Sequence, residues 1–144
     1  MATDPIFLSY SWAEQDGNER ITSLMENYRL ANEEFAYEYY TVSKDDPVQF
    51  LPSNKALANA IETQMQKCSC VIILAGVFEE FKRWINLELD TAKKLKIPVI
   101  LVEAVNPKHT NYREKRAAVA TVKWDFKELG DTIVKIAKLP KTKK

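Results

Sequence analysis

Short apolar runs recur along the chain, and the residues between them carry apolar positions at helical spacing. Ile6-Phe7-Leu8-Ser9-Tyr10 is the first such run and predicts a strand. Ile21, Leu24, Met25, Tyr28 and Ala31 then follow at intervals of three, one, three and three, one face of a helix. Tyr37 to Val42 is rich in aromatic and β-branched residues and predicts a second strand. Ser43-Lys44-Asp45-Asp46-Pro47 has turn chemistry and opens a loop of about ten residues, long enough to act as a lid. Ser53 or Asn54 can cap a second helix carrying Leu57, Ala60, Ile61, Met65 and Cys68 on one side.

Val71 to Gly76 is a continuous apolar run, the kind buried on both faces of a parallel sheet. A third helix covers Glu80 to Lys96. The fourth strand is Pro98 to Val102, with the proline at its start, where a missing N–H is tolerated. A polar segment containing Pro107 and His109 leads to a short fifth strand at Thr121 to Trp124. Phe126, Leu129, Ile133, Ile136 and Ala137 mark a last helix. Strands and helices in strict alternation predict one α/β domain, a parallel sheet covered on both faces. The domain is expected to span residues 1–139, with a basic tail at 140–144.

One position breaks the pattern. On the third helix Phe81, Ile85, Ala92 and Leu95 define an inward stripe, and Glu88 falls near its middle. Asn86 and Asp90 point away from it. A carboxylate on an apolar face is costly unless it is paired, hydrogen-bonded or lining a cleft. Two readings therefore stand: a glutamate paired with a cation at the rim of the core, or a carboxylate serving a site. Trp84, one turn earlier on the same side, sets an aromatic face beside it, a combination suited to a flat ring bonded to a sugar.

Composition narrows the class. With 46% hydrophobic and 28% charged residues in 144, the chain has the balance of a soluble globular domain. The formal net charge of +1 gives no reason to expect nucleic acid or an anionic membrane as a partner. No apolar run approaches the roughly 18 residues that a membrane span needs, and the first residues lack the charged and apolar regions of a secretory signal. Cys68 and Cys70, one residue apart, suit neither a metal site nor a disulfide framework. No metal is expected, both cysteines are expected reduced, and the expected location is the cytoplasm.

Taken in order, three segments resemble TIR domains. Ile6 to Ser11 is similar to their first strand, an apolar run leading into a Ser-aromatic segment. Ala60-Ile61-Glu62 with Cys68 to Leu74 resembles their second helix and the buried strand after it. Trp84-Ile85-Asn86-Leu87-Glu88-Leu89 matches their pattern of Trp and Glu four residues apart. The chain is closest in kind to the TIR-like proteins of bacterial antiphage defence, particularly the Thoeris system. It departs from many TIR domains at Ala75-Gly76, where serine is common, and in the loop from Ser43 to Pro52.

The resemblance implies a flavodoxin-like fold with strand order 2-1-3-4-5 and cleavage of the nicotinamide–ribose bond of NAD. NAD is then a substrate, and no cofactor is expected. An ADP-ribose-derived signal read by a downstream effector is implied as well, with self-assembly or a phage-derived trigger. In that sheet order a ligand binds beyond the carboxyl ends of strands 1 and 3. Ser9, Tyr10, Ser11 and Trp12 would line one side, and Gly76 and Val77 the other. Glu88 is the expected catalytic residue. Trp84, Tyr10 or Trp12 would stack on the substrate, Ser9 or Ser11 would donate hydrogen bonds, and Asp45 and Asp46 would shape the site from the loop.

Other uses of the fold lack their residues. A phosphoacceptor domain needs acidic groups where this chain has Ser9-Tyr10-Ser11 and Ala75-Gly76. Three glycines in all, and neither glycine-rich phosphate motif, argue against a phosphate cradle. His109 has no nucleophile motif to serve. Two alternatives stay open: a nucleoside deoxyribosyltransferase-like enzyme, and a non-catalytic TIR-like interaction module.

Overall fold

In the computed structural model, residues 4–9, 17–32, 37–40, 54–75, 82–103 and 112–137 are described. The elements in chain order are β1 (Asp4–Leu8), α1 (Gly17–Ala31), β2 (Tyr37–Tyr40), α2 (Asn54–Met65), β3 (Cys70–Leu74), α3 (Lys82–Leu95), β4 (Val99–Val102), α4 (Tyr112–Ala117), β5 (Ala118–Val122) and α5 (Phe126–Ala137). The five strands form one sheet in the order β2-β1-β3-β4-β5, as the resemblance implied. Every neighbouring pair is parallel. The fold is therefore flavodoxin-like.

The two-residue period of a strand explains why β1, β3 and β4 have no polar face. Ile6, Leu8, Cys70, Ile72, Ile100 and Val102 turn to the side covered by α1 and α5, where Ile21, Met25, Leu129 and Ile133 meet them. Phe7, Val71, Ile73, Val99 and Leu101 turn to the side covered by α2 and α3, against Leu57, Ile61, Met65, Ile85 and Leu89. Each uninterrupted apolar run is thus divided between two cores. Both cysteines are free and buried, and they go to opposite sides, Cys68 with α2 and Cys70 with α1. Burial pushes the Cys68 thiol up to about 12. Both pack as small apolar groups.

On the α1 side, Gly130 lies under the ring of Tyr28, and a Cβ there would overlap the ring atoms. The Tyr28 hydroxyl donates to Asp131 at 2.8 Å, tying the two helices at the edge of their contact. On the other side α3 stops at Lys96, whose φ of 59° is left-handed. The Lys96 N–H donates to the Lys93 carbonyl and the Ile97 N–H to the Ala92 carbonyl. That pair of bonds is a Schellman ending, and it turns the chain into Pro98 and β4. Asp125 caps α5 by accepting from the Glu128 N–H at 2.8 Å.

Two features differ from the sequence expectation. The fifth strand runs from Ala118 to Val122, not Thr121 to Trp124, and Lys123 to Asp125 lie between it and α5. The short helix α4 was not anticipated. Its residues, Tyr-Arg-Glu-Lys-Arg-Ala, offer too few apolar positions for a period to show. Among the described residues no helix is long and apolar enough to cross a membrane.

Candidate functional site

The order β2-β1-β3 reverses the direction of the connections at β1, so the crevice between the ends of β1 and β3 is the natural ligand position. Ser9, the first residue after β1, stands there. Its backbone N–H donates to the Ile72 carbonyl at 3.0 Å, which continues the β1–β3 ladder by one residue. Strand alternation puts its side chain on the same face as that of Phe7, toward α3.

Helix α3 reaches this edge because it begins where the chain returns from β3. Glu88 lies within its first two turns. The buried positions on this helix are Trp84, Ile85, Glu88, Leu89, Thr91 and Ala92, a single arc. Ile85, Leu89 and Ala92 face the sheet because they are apolar, and Glu88, sharing their side of the helix, is carried in with them.

Glu88 is 1% exposed and Ser9 is 1% exposed. The Ser9 hydroxyl donates to Glu88 Oε1 at 2.5 Å, closing a contact between residues 79 apart in the chain. A carboxylate so enclosed is tolerable only when polar partners replace the water it has lost. The Ser9 hydroxyl is one such partner of Glu88.

Trp84 is also buried, packed in the core with Phe7, Leu57 and Ile85. Asn86 and Asp90, on the outer side of α3, both accept from Arg113 on α4, Asn86 from Nε at 2.5 Å and Asp90 from Nη2 at 2.6 Å. This fork fastens α4 to α3. Thr91, buried one turn beyond Glu88, completes the three buried polar side chains among the described residues. The sequence reading passed over it. Its place on the inner arc, three residues after Glu88, was the available signal.

Of the residues expected at the site, the structure brings together Ser9 and Glu88 and sets Trp84 one turn from Glu88. Tyr10, Ser11, Trp12, Asp45, Asp46, Gly76 and Val77 lie outside the described residues, as do His109, the loop from Ser43 to Pro52 and the basic tail. Among the described residues no group of three or more His, Cys, Asp or Glu could hold a metal.

A groove of about 580 Å³ lies elsewhere, between the later part of α3, α4 and the start of β4, with Leu89, Ala92 and Val99 inside and Lys93, Arg113 and Arg116 around it. It includes neither Ser9 nor Glu88. Its Arg113 is already engaged by Asn86 and Asp90. The chemistry is therefore better sought at the Ser9–Glu88 pair than in this groove.

Comparisons with known proteins bear on the family and the fold. The family described as Thoeris protein ThsB, TIR-like domain, matches residues 7–109. That span contains Ser9, Trp84 and Glu88. A search of curated proteins finds no match. Among solved structures the chain is similar to a 3-dehydroquinate dehydratase-like protein from Bifidobacterium longum, at 9% identity and a TM-score of 0.52. The likeness covers 95% of this chain and 96% of that one, and it speaks for the fold alone.

Proposed function

The chain belongs to the ThsB TIR-like domain family of Thoeris defence, and from that membership we propose that it cleaves the nicotinamide–ribose bond of NAD, with Glu88 as the catalytic carboxylate. One observation carries the reading. A glutamate is held inside the domain, hydrogen-bonded by Ser9, where β1 and β3 end and the sheet order reverses.

The chemistry asks for little more than such a group. Nicotinamide leaves as a neutral amine from a cationic ring, so no strong general acid is required. The ribose left behind develops oxocarbenium character, and a fixed negative charge beside it stabilises that charge as it forms. A carboxylate also accepts hydrogen bonds from ribose hydroxyls and so holds the sugar. In a site shielded from water, each of these interactions is stronger than it would be in solvent.

Around this centre, Tyr10, Ser11, Trp12, Asp45, Asp46, Gly76 and Trp84 are the proposed substrate neighbours. The product is proposed to be an ADP-ribose-derived signal for a downstream effector, formed when the protein assembles or meets a phage-derived trigger.

The test is Glu88→Gln, which keeps the shape of the side chain and removes its charge. NAD consumption, followed by mass spectrometry in cells challenged with phage, is expected to fall about 100-fold or more. Far-ultraviolet circular dichroism and the melting temperature should stay close to wild type. Turnover undiminished in this variant removes Glu88 from the mechanism.

A further inference from the structure

Ser9 was expected to meet the substrate, and its hydroxyl donates to Glu88. Three facts bear on what it does there. The backbone of Ser9 is pinned to β3 through the Ile72 carbonyl at 3.0 Å, so the hydroxyl projects from backbone held in the sheet's ladder. The O···O distance of 2.5 Å lies at the short end of the range for a hydroxyl donating to an ionised carboxylate. Both side chains are 1% exposed, which leaves little room for either to swing.

A glutamate side chain has three rotatable bonds, and a helix by itself fixes none of them uniquely. Trp84, Ile85, Leu89 and Ala92, buried with Glu88 on α3, bound the space around it. The hydroxyl of Ser9 adds direction: it singles out Oε1 and thereby orients the whole carboxylate plane. A charge that must meet a reacting ribose within a fraction of an ångström gains from such a fixed support.

We infer that Ser9 is a positioning residue: it acts on the reaction through Glu88, by holding the carboxylate in one rotamer, and not by binding substrate. This rests on the reading of Glu88 as the catalytic group. Three consequences follow for enzyme kinetics. Ser9→Ala lowers kcat by roughly 10-fold to 100-fold while KM for NAD changes less than about 3-fold, the signature of lost alignment with binding kept. Ser9→Thr keeps the hydroxyl and recovers most of the rate. A residue that held the substrate would raise KM instead.

The experiment combines kinetics with a readout that needs no turnover. NAD cleavage is measured for wild type, Ser9→Ala and Ser9→Thr under the activating conditions. In parallel, three-bond couplings about the first two side-chain torsions of Glu88 are measured by NMR on selectively labelled protein. Wild type and Ser9→Thr should show one rotamer of Glu88, and Ser9→Ala should show averaging, with amide spectra that otherwise overlay. If Ser9→Ala keeps a single Glu88 rotamer, or loses activity through KM alone, the inference is overturned. If wild type fails to cleave NAD yet the rotamer is released in Ser9→Ala, the proposed reaction falls and the hold of Ser9 on Glu88 stands.

Discussion

The two faces of the sheet are built from the same strands, yet they treat polar groups differently. Among the described residues, every buried side chain on the α1–α5 face is apolar or, at Tyr28, aromatic with its hydroxyl at the margin. On the α2–α3 face the interior admits Ser9, Glu88 and Thr91. Phe7 in β1 and Ser9 just after it point the same way, so local sequence preference does not separate the two faces. What separates them is α3, which brings a carboxylate to the edge where the sheet order reverses. One face is packed with apolar groups, and the other holds the Ser9–Glu88 pair. Polar burial that costs stability is concentrated on the side where it can serve chemistry.

That contrast predicts opposite outcomes for substitutions on the two sides. The largest separation is expected at Glu88→Leu. An apolar side chain fits the arc of Ile85, Leu89 and Ala92, and removes a buried carboxylate. NAD turnover should vanish while unfolding free energy in urea changes by less than about 1 kcal/mol, because the lost bond to Ser9 offsets the relief of desolvation. A loss of several kcal/mol would make Glu88 a structural group after all.

On the α1–α5 face the reverse holds. Gly130→Ala places a methyl group into the ring of Tyr28, and overpacking of this kind should cost about 2 kcal/mol even after the helix gains from alanine. Activity per folded molecule should be unchanged, since α5 carries none of the proposed site residues. Equal loss of specific activity in refolded protein would show that the two faces are coupled.

The smallest effect is expected at Tyr28→Phe, which removes the bond to Asp131 and should cost about 1 kcal/mol near neutrality. Burial, reinforced by the bond to Asp131, pushes the Tyr28 hydroxyl up from 10.0 to about 12. The folded state therefore holds this proton more tightly than the unfolded chain does. The contribution is complete below pH 10 and is lost as pH rises toward 12. Wild type should lose stability through that window more steeply than Tyr28→Phe, as urea titrations at successive pH values will show. Parallel pH curves for the two proteins would mean that the hydroxyl is no more buried in solution than in an unfolded chain.

The helix α4 and the fifth strand mark where sequence reading fell short. Tyr112 to Ala117 carries four charges in six residues, and the Arg113 fork to Asn86 and Asp90 on α3 helps hold it. Nothing within the segment announces that partner. Ala118 to Val122 has small residues where a strand reading looks for large ones. The sheet accepts it because β4 supplies the backbone ladder, with a register irregularity at Val99 and Ile100. The earlier and stronger segments were readable because their periods are local and their apolar content is high.

For Glu88 the chain's own pattern was enough to mark an anomaly: a charge in an apolar arc is visible from the spacing of Ile85, Ala92 and Leu95 on one helix. So was the alternation of strands and helices, since periods of 2 and 3.6 residues are written over a few turns of chain. The tertiary structure alone supplied the meeting of Ser9 with Glu88. Their contact spans 79 positions and depends on the sheet order and on which face of β1 looks toward α3. Local periodicity fixes which residues turn inward, but only the assembled sheet determines whom they meet.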